Sequence, residues 1–327
     1  MTLATGVGSW PGDDQAAYTE AVRTVLGELP DLPHLPEIPG RGIGADLTGR
    51  ALAVVADLGA DLQPAGWRLT DAPGIDQRRA RSQLGQDLDG LEELAQDHVG
   101  PFKVQLAGPW TLAATVEKPR GDRVLSDFGA RRDLAQALAE GVRTHVADLR
   151  RRLPGVTDLL VQLDEPALPA VMAGAVPTAS GFHRHRSVDA PAASEALEWV
   201  LAAISEAGGV PLVHSCASDV PVDLLRGAGA RGVSVDLGAV DSSAYDALAT
   251  ALEADEWVLL GVVPAVDPDP VPSDSSMTER VLRWLDMLGL EPTERLVVTP
   301  TCGLAGASPG WARNALTSAR ATAASLS

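Results

Sequence analysis

The chain has 327 residues, 45% of them hydrophobic, and a formal net charge of −18 at neutral pH. That composition supplies a large core, and the acidic balance excludes nonspecific attraction to nucleic acid or to an anionic membrane. No apolar run approaches the roughly 20 residues of a membrane span, and the opening MTLATGVGSWPGDD lacks the basic start and apolar segment of a signal peptide, so a cytoplasmic protein is expected.

In chain order, apolar and β-branched runs predict strands at 4–10, 34–38, 102–108, 159–165, 211–216, 232–237, 257–263 and 295–300. Segments of helical period lie at 14–27, 47–60, 76–97, 124–152, 191–207, 242–253, 276–288 and 309–325. The second strand is interrupted by Pro36 and ended by Pro39. Strands alternating with helices give right-handed βαβ units and a parallel sheet. Eight such units without a linker predict an α/β fold, a single-domain (β/α)8 TIM barrel over 1–327, rather than an open doubly wound sheet. The stretch DPDPVPSDSS (267–276) reads as a long loop on the active face. Catalytic groups of such barrels sit where strands end. The unusual residues here cluster there: Gly8-Ser9-Trp10, Glu37, Gly108-Pro109, Asp164-Glu165, His214 with Cys216, Asp236 and Cys302.

The chain has two cysteines, which suits a reducing compartment and thiols kept for a metal or for chemistry. In PLVHSCASD, His214 and Cys216 are two apart on a strand, so both point to one face. Cys302 follows the last strand in TPTCGLAG, and Asp236 ends a strand between them. One imidazole, two thiolates and a carboxylate make a tetrahedral set of the kind zinc takes. Zinc would hold both cysteines, and any thiol arriving as substrate, as thiolates. The competing reading is two buried core cysteines, with Asp236 capping a helix or pairing with an arginine.

In VQLDEPAL, Asp164 and Glu165 are the candidate catalytic carboxylates. Neighbours on a strand face opposite ways, so at most one looks into the barrel mouth, where it would suit a substrate ammonium. Both also fit helix-start residues favoured by the dipole. The Gly-rich turn TGVGSWPG lets backbone N–H groups approach an anion such as a carboxylate. Glu37 in HLPEIPGRG is a second group for an ammonium. FHRHRS (182–187) reads as a solvated loop, and His98 and His145 as solvent-facing. Trp10 and Trp110 lie at strand ends, where they could stack on an aromatic ligand. That only two lysines occur, Lys103 and Lys118, reads as composition rather than function.

QLDEPA, H-x-C and the late CGL, in this order and spacing, together with GVGSWP and AGPWTL, resemble the C-terminal catalytic barrel of cobalamin-independent methionine synthase. The resemblance covers nearly the whole chain. It implies a (β/α)8 barrel that moves a methyl group to the thiol of homocysteine held on Zn²⁺. It implies His214, Cys216 and Cys302 as zinc ligands, with Asp236 where that family has a glutamate ligand. It implies Asp164 and Glu37 on the homocysteine amino group, and Val7, Gly8 and Ser9 on its carboxylate. The chain lacks that family's second, N-terminal barrel. Thr115 stands where the family has a pterin-stacking tryptophan, and VPAVDPDPVPSDSS replaces its His-Ser-Pro loop. The expectation is therefore a zinc-dependent S-methyltransferase making methionine, its donor methyltetrahydrofolate or a methylated corrinoid protein. Alternatives are alkyl transfer to another thiol, a zinc-free barrel of the decarboxylase relatives, and a non-catalytic homocysteine- or methionine-binding barrel. No nucleic-acid or membrane partner is expected.

Overall fold

The structure, a computed structural model, describes residues 2–326. Its strands are β1 (Leu3–Ala4), β2 (Gly59–Gln63), β3 (Gly66–Thr70), β4 (Gly100–Ala107), β5 (Val156–Asp164), β6 (Val210–Ser215), β7 (Gly232–Asp236), β8 (Trp257–Val263) and β9 (Leu296–Pro300). Seven of them form one parallel sheet in the order β1-β9-β8-β7-β6-β5-β4. The expected second strand, 34–38, fills the gap between its two edges. His34 bridges to Lys103 on one side, and Glu37 bridges to Ser9 on the other. Leu35 N–H donates to Lys103 O at 2.9 Å, and Glu37 N–H to Gly8 O at 3.1 Å. This eighth stave closes the (β/α)8 barrel. It makes single bridges rather than a ladder because Pro33 and Pro36 have no N–H to give.

The strands are buried on both faces, so they read as near-continuous apolar runs; every residue of β8 is buried. Outward-facing residues join the main core beneath the helices. Inward-facing Leu160, Leu212, Leu259 and Val297, with Leu32 and Trp257, form a separate apolar plug inside the barrel. Two residues further along the strands the interior turns polar, and the site lies beyond that layer. Asp14, Asp46, Asp127 and Asp189 cap the starts of the helices Gln15–Glu28, Leu47–Val54, Phe128–Arg152 and Ala190–Glu206. Each accepts a backbone N–H three residues on, worth about 1 kcal/mol per cap.

One expected helix is wrong in extent. The helix predicted over 47–60 stops at Val54, and β2 and β3 follow as an antiparallel hairpin. Asp57 takes a left-handed φ of 54° there, and Gly59 passes so close to Ala72 that an added Cβ would lie 2.4 Å from its carbonyl carbon. Short helices at Pro109–Thr115, Leu168–Met172 and Val222–Gly227 add turns not expected from the sequence. Among the described residues no helix is long and apolar enough to cross a membrane.

Candidate active site

The register of the sheet sets the site. Ala107, Asp164, His214 and Ser234 pair in series across β4, β5, β6 and β7, so their side chains share one level at the C-terminal mouth. Cys216 lies just past the end of β6, and Cys302 just past β9. The turn 7–9 and the stave bearing Glu37 complete a cavity of about 320 Å³, lined also by Asp46, Leu47 and Gly303.

His214, Cys216 and Cys302 present one nitrogen and two sulfurs within 4.8 Å of one another. His214 Nδ1 lies 3.1 Å from Ser234 O and 3.0 Å from Ser234 Oγ. A carbonyl only accepts, so Nδ1 donates to it, and Nε2 is the ring nitrogen left to face a ligand. The Cys302 thiol is pushed down to about 4, first by the hydrogen bond from Cys216 and then by His214, while burial opposes. Cys216 is pushed up as the partner that keeps the proton. Two sulfurs and one imidazole nitrogen held this close suit a thiophilic cation such as zinc.

Asp236 is not part of this group. Its Oδ1 accepts Gly238 N–H at 2.7 Å and closes the turn after β7, so the expected fourth ligand serves the loop instead. Three protein donors are the number that catalytic, rather than structural, zinc sites use.

The two adjacent carboxylates separate as strand geometry requires. Asp164 lines the cavity. Burial pushes it up to about 7; His214, Lys103 and a hydrogen bond from Gln162 pull the other way, and Glu37 adds to the rise. An ammonium arriving beside it would favour its charged form. Glu165, expected as catalytic, is fully buried behind the strand. Its oxygens accept Trp110 N–H at 2.9 Å, Thr111 N–H at 2.8 Å and the Thr111 hydroxyl at 2.7 Å. It caps the helix Pro109–Thr115 and is not itself one of the residues that line the cavity. Burial pushes it up to about 7 as well, against those hydrogen bonds.

Glu37 lines the cavity, but its Oε1 is 3.1 Å from Arg50 Nε. Arg50 and Arg41 both pair with Asp87, at 2.9 and 2.6 Å. Two guanidinium groups thus meet two carboxylates, and Glu37 offers polarity to the cavity rather than an unbalanced charge. The turn 7–9 is fixed by close packing. A Cβ on Gly8 would lie 2.7 Å from Gln105 Cδ, and one on Gly303 would lie 2.1 Å from Ser9 Oγ. A side chain at either place would force Gln105 or Ser9 to shift, and the turn lies directly against the Cys302 segment.

Sequence reasoning missed the polar layer below the cavity. Lys103 is fully buried, and Gln105, Gln162 and Lys103 form one hydrogen-bonded group. Its signal was present: K-x-Q on β4 and Q-x-D on β5 put polar residues at period two inside apolar strands. Asp46, which lines the cavity while capping its helix, was also missed. Trp110 is not free to stack on a ligand; it is buried, with Nε1 donating to Ala193 O at 2.9 Å. His185 of FHRHRS is buried, 3.4 Å from Asp122, rather than solvated, and His98 is half-buried with Nε2 3.1 Å from Pro101 O.

The description "Cobalamin-independent synthase, Catalytic domain" matches residues 98–325. No curated protein matches the sequence. A B12-independent methionine synthase from Shewanella sp. W3-18-1, solved with selenomethionine, superposes with a TM-score of 0.66 at 14% identity, covering 100% of this chain and 98% of that one. A D-psicose 3-epimerase from Clostridium cellulolyticum H10 covers 98% of this chain and 96% of its own at 11% identity, with a TM-score of only 0.45.

Proposed function

Because the chain belongs to the cobalamin-independent synthase catalytic-domain family, we propose that it methylates the thiol of homocysteine to give methionine, using zinc held by His214, Cys216 and Cys302. The observation that carries this reading is the convergence of those three donors, from the ends of β6 and β9, in a cavity that also holds Asp164. Zinc in that set would keep an incoming thiol as thiolate at neutral pH and so supply the nucleophile. Every other task falls to the chain. Ser234 fixes the His214 ring. Asp164 binds the substrate ammonium, and Glu37 lies on the same wall. The N–H groups of the turn 7–9 bind the carboxylate. The sulfur–carbon bond forms as the bond from methyl to donor breaks, its electron pair leaving with the donor. Holding sulfur and methyl in line is where the site gains most of its rate.

The donor is methyltetrahydrofolate or a methylated corrinoid protein. Thr115 offers no aromatic plane to a pterin, and its hydroxyl is turned back on its own helix, 2.8 Å from Thr111 O. The test is a steady-state assay of zinc-loaded protein with homocysteine and each donor. Methionine formed with one of them is the expected result; no thiol methylation with either would overturn the reading. Alkyl transfer to another thiol would show as activity that survives Asp164→Asn.

A further inference from the structure

We propose that Lys103 is a positioning residue, whose ammonium orients two buried amides so that the groups reading the amino-acid end of the substrate hold one arrangement. The inference rests on the proposed function and names how its specificity is built.

Lys103 is fully buried in the barrel, where an unpartnered ammonium would be very costly. It has three N–H donors and three acceptors: Val7 O at 2.8 Å, Gln162 Oε1 at 3.0 Å and Gln105 Oε1 at 3.2 Å. An ammonium can only donate, so both glutamines must turn their oxygens toward it. Their NH₂ groups therefore face away. Gln162 Nε2 donates to Asp164 Oδ1 at 2.7 Å and to Val7 O at 3.1 Å. Gln105 Nε2 donates to Leu35 O at 2.7 Å, on the stave that carries Glu37. One charge thus sets the polarity of the contacts to Asp164, to the turn 7–9 and to the Glu37 stave. Without it either amide can rotate and set its oxygen against the Asp164 carboxylate or a carbonyl, which repels. None of these hydrogen bonds reaches His214, Cys216 or Cys302.

The residue should therefore govern homocysteine and be indifferent to a thiol without amino and carboxylate groups. Zinc-loaded wild type, Lys103→Met and Gln162→Met are titrated calorimetrically with homocysteine and with ethanethiol, with folding checked by circular dichroism. Lys103→Met is expected to weaken homocysteine by about 10- to 100-fold, the scale of a misplaced binding group, and to leave ethanethiol unchanged. Equal weakening of both thiols, or unchanged homocysteine affinity, overturns the proposal. If Lys103→Met does not fold, Gln162→Met decides. It keeps the Lys103 bonds to Val7 and Gln105 and removes the relay that runs from Lys103 through the Gln162 amide to Asp164 and Val7, so a loss confined to homocysteine supports the proposal and no loss overturns it. Wild type that fails to prefer homocysteine over ethanethiol overturns the functional reading itself, and the proposal with it.

Discussion

Replacing Glu165 by alanine should cost stability and leave thiol binding intact. The side chain is fully buried and accepts three hydrogen bonds at the start of the helix Pro109–Thr115. Its loss strands two backbone N–H groups and a hydroxyl, each costing about 1–3 kcal/mol when buried without a partner. Water entering the space left behind recovers part of this, so the lower end, about 3 kcal/mol, is the working value. Unfolding entropy of about 2.1 cal/mol/K per residue gives about 0.7 kcal/mol/K for 327 residues, so Tm should fall by about 4 °C. Scanning calorimetry reads the Tm, and titration at 25 °C reads homocysteine affinity on the zinc-loaded variant. A Tm within about 1 °C of wild type would refute the capping role. So would a variant that keeps its Tm but no longer binds the thiol, because that result would return Glu165 to the chemistry.

Asp236→Asn should change zinc affinity by less than about 3-fold in a chelator competition, because a tenfold or greater loss is the mark of a residue that supports the metal, whereas Cys302→Ala should abolish tight binding. Gly303→Ala would set a Cβ 2.1 Å from Ser9 Oγ; Ser9 must shift, costing about 1–3 kcal/mol in denaturant unfolding, with weaker homocysteine binding. Wild-type stability and binding in that variant would show that the turn and the Cys302 segment do not press on each other. His34 is buried, and its Nδ1 accepts Gly6 N–H at 3.2 Å; burial, then the nearby Lys103 charge, hold it well below its ordinary 6.5. The unfolded chain takes up a proton there that the native chain refuses. The stability from this group is therefore complete above pH 6.5 and lost as pH falls below it, by up to about 1.4 kcal/mol per pH unit. Unfolding at pH 5.5 and 7.5 should show a smaller pH slope in His34→Asn than in wild type, and equal slopes would count against it.

The barrel was legible because parallel strands covered on both faces must be apolar throughout, and WVLLGVV occupies 257–263 as expected. The stave at 34–38 was found despite its prolines, but not the reason it could be tolerated, which is that single bridges to Lys103 and Ser9 suffice to close the barrel. The hairpin at 59–70 was hidden because its start continues an Ala/Leu pattern and only the left-handed Asp57 breaks it. At the site, His214 and Cys216 announced themselves by spacing, and Cys302 joined them because strand ends converge in a barrel. Asp236 shares their strand-end position, yet its one short arm is taken by Gly238, which a sequence does not show. Strand alternation allowed one of Asp164 and Glu165 to face the mouth, and burial and hydrogen bonding settle which. Lys103 was read as composition although K-x-Q and Q-x-D place polar residues at period two, because that pattern does not say which partners, 59 and 96 residues away, the lysine meets.

The measurement that bears most directly on the central claim is zinc K-edge absorption of the loaded protein before and after homocysteine is added. Zinc held by His214, Cys216 and Cys302 should show two sulfur neighbours at about 2.3 Å. On homocysteine binding the sulfur count should rise by one, with a lighter ligand lost. A sulfur count that does not change, at homocysteine concentrations where binding is saturated, would contradict the account, because the thiol would then lie in the cavity without reaching the metal that is meant to activate it.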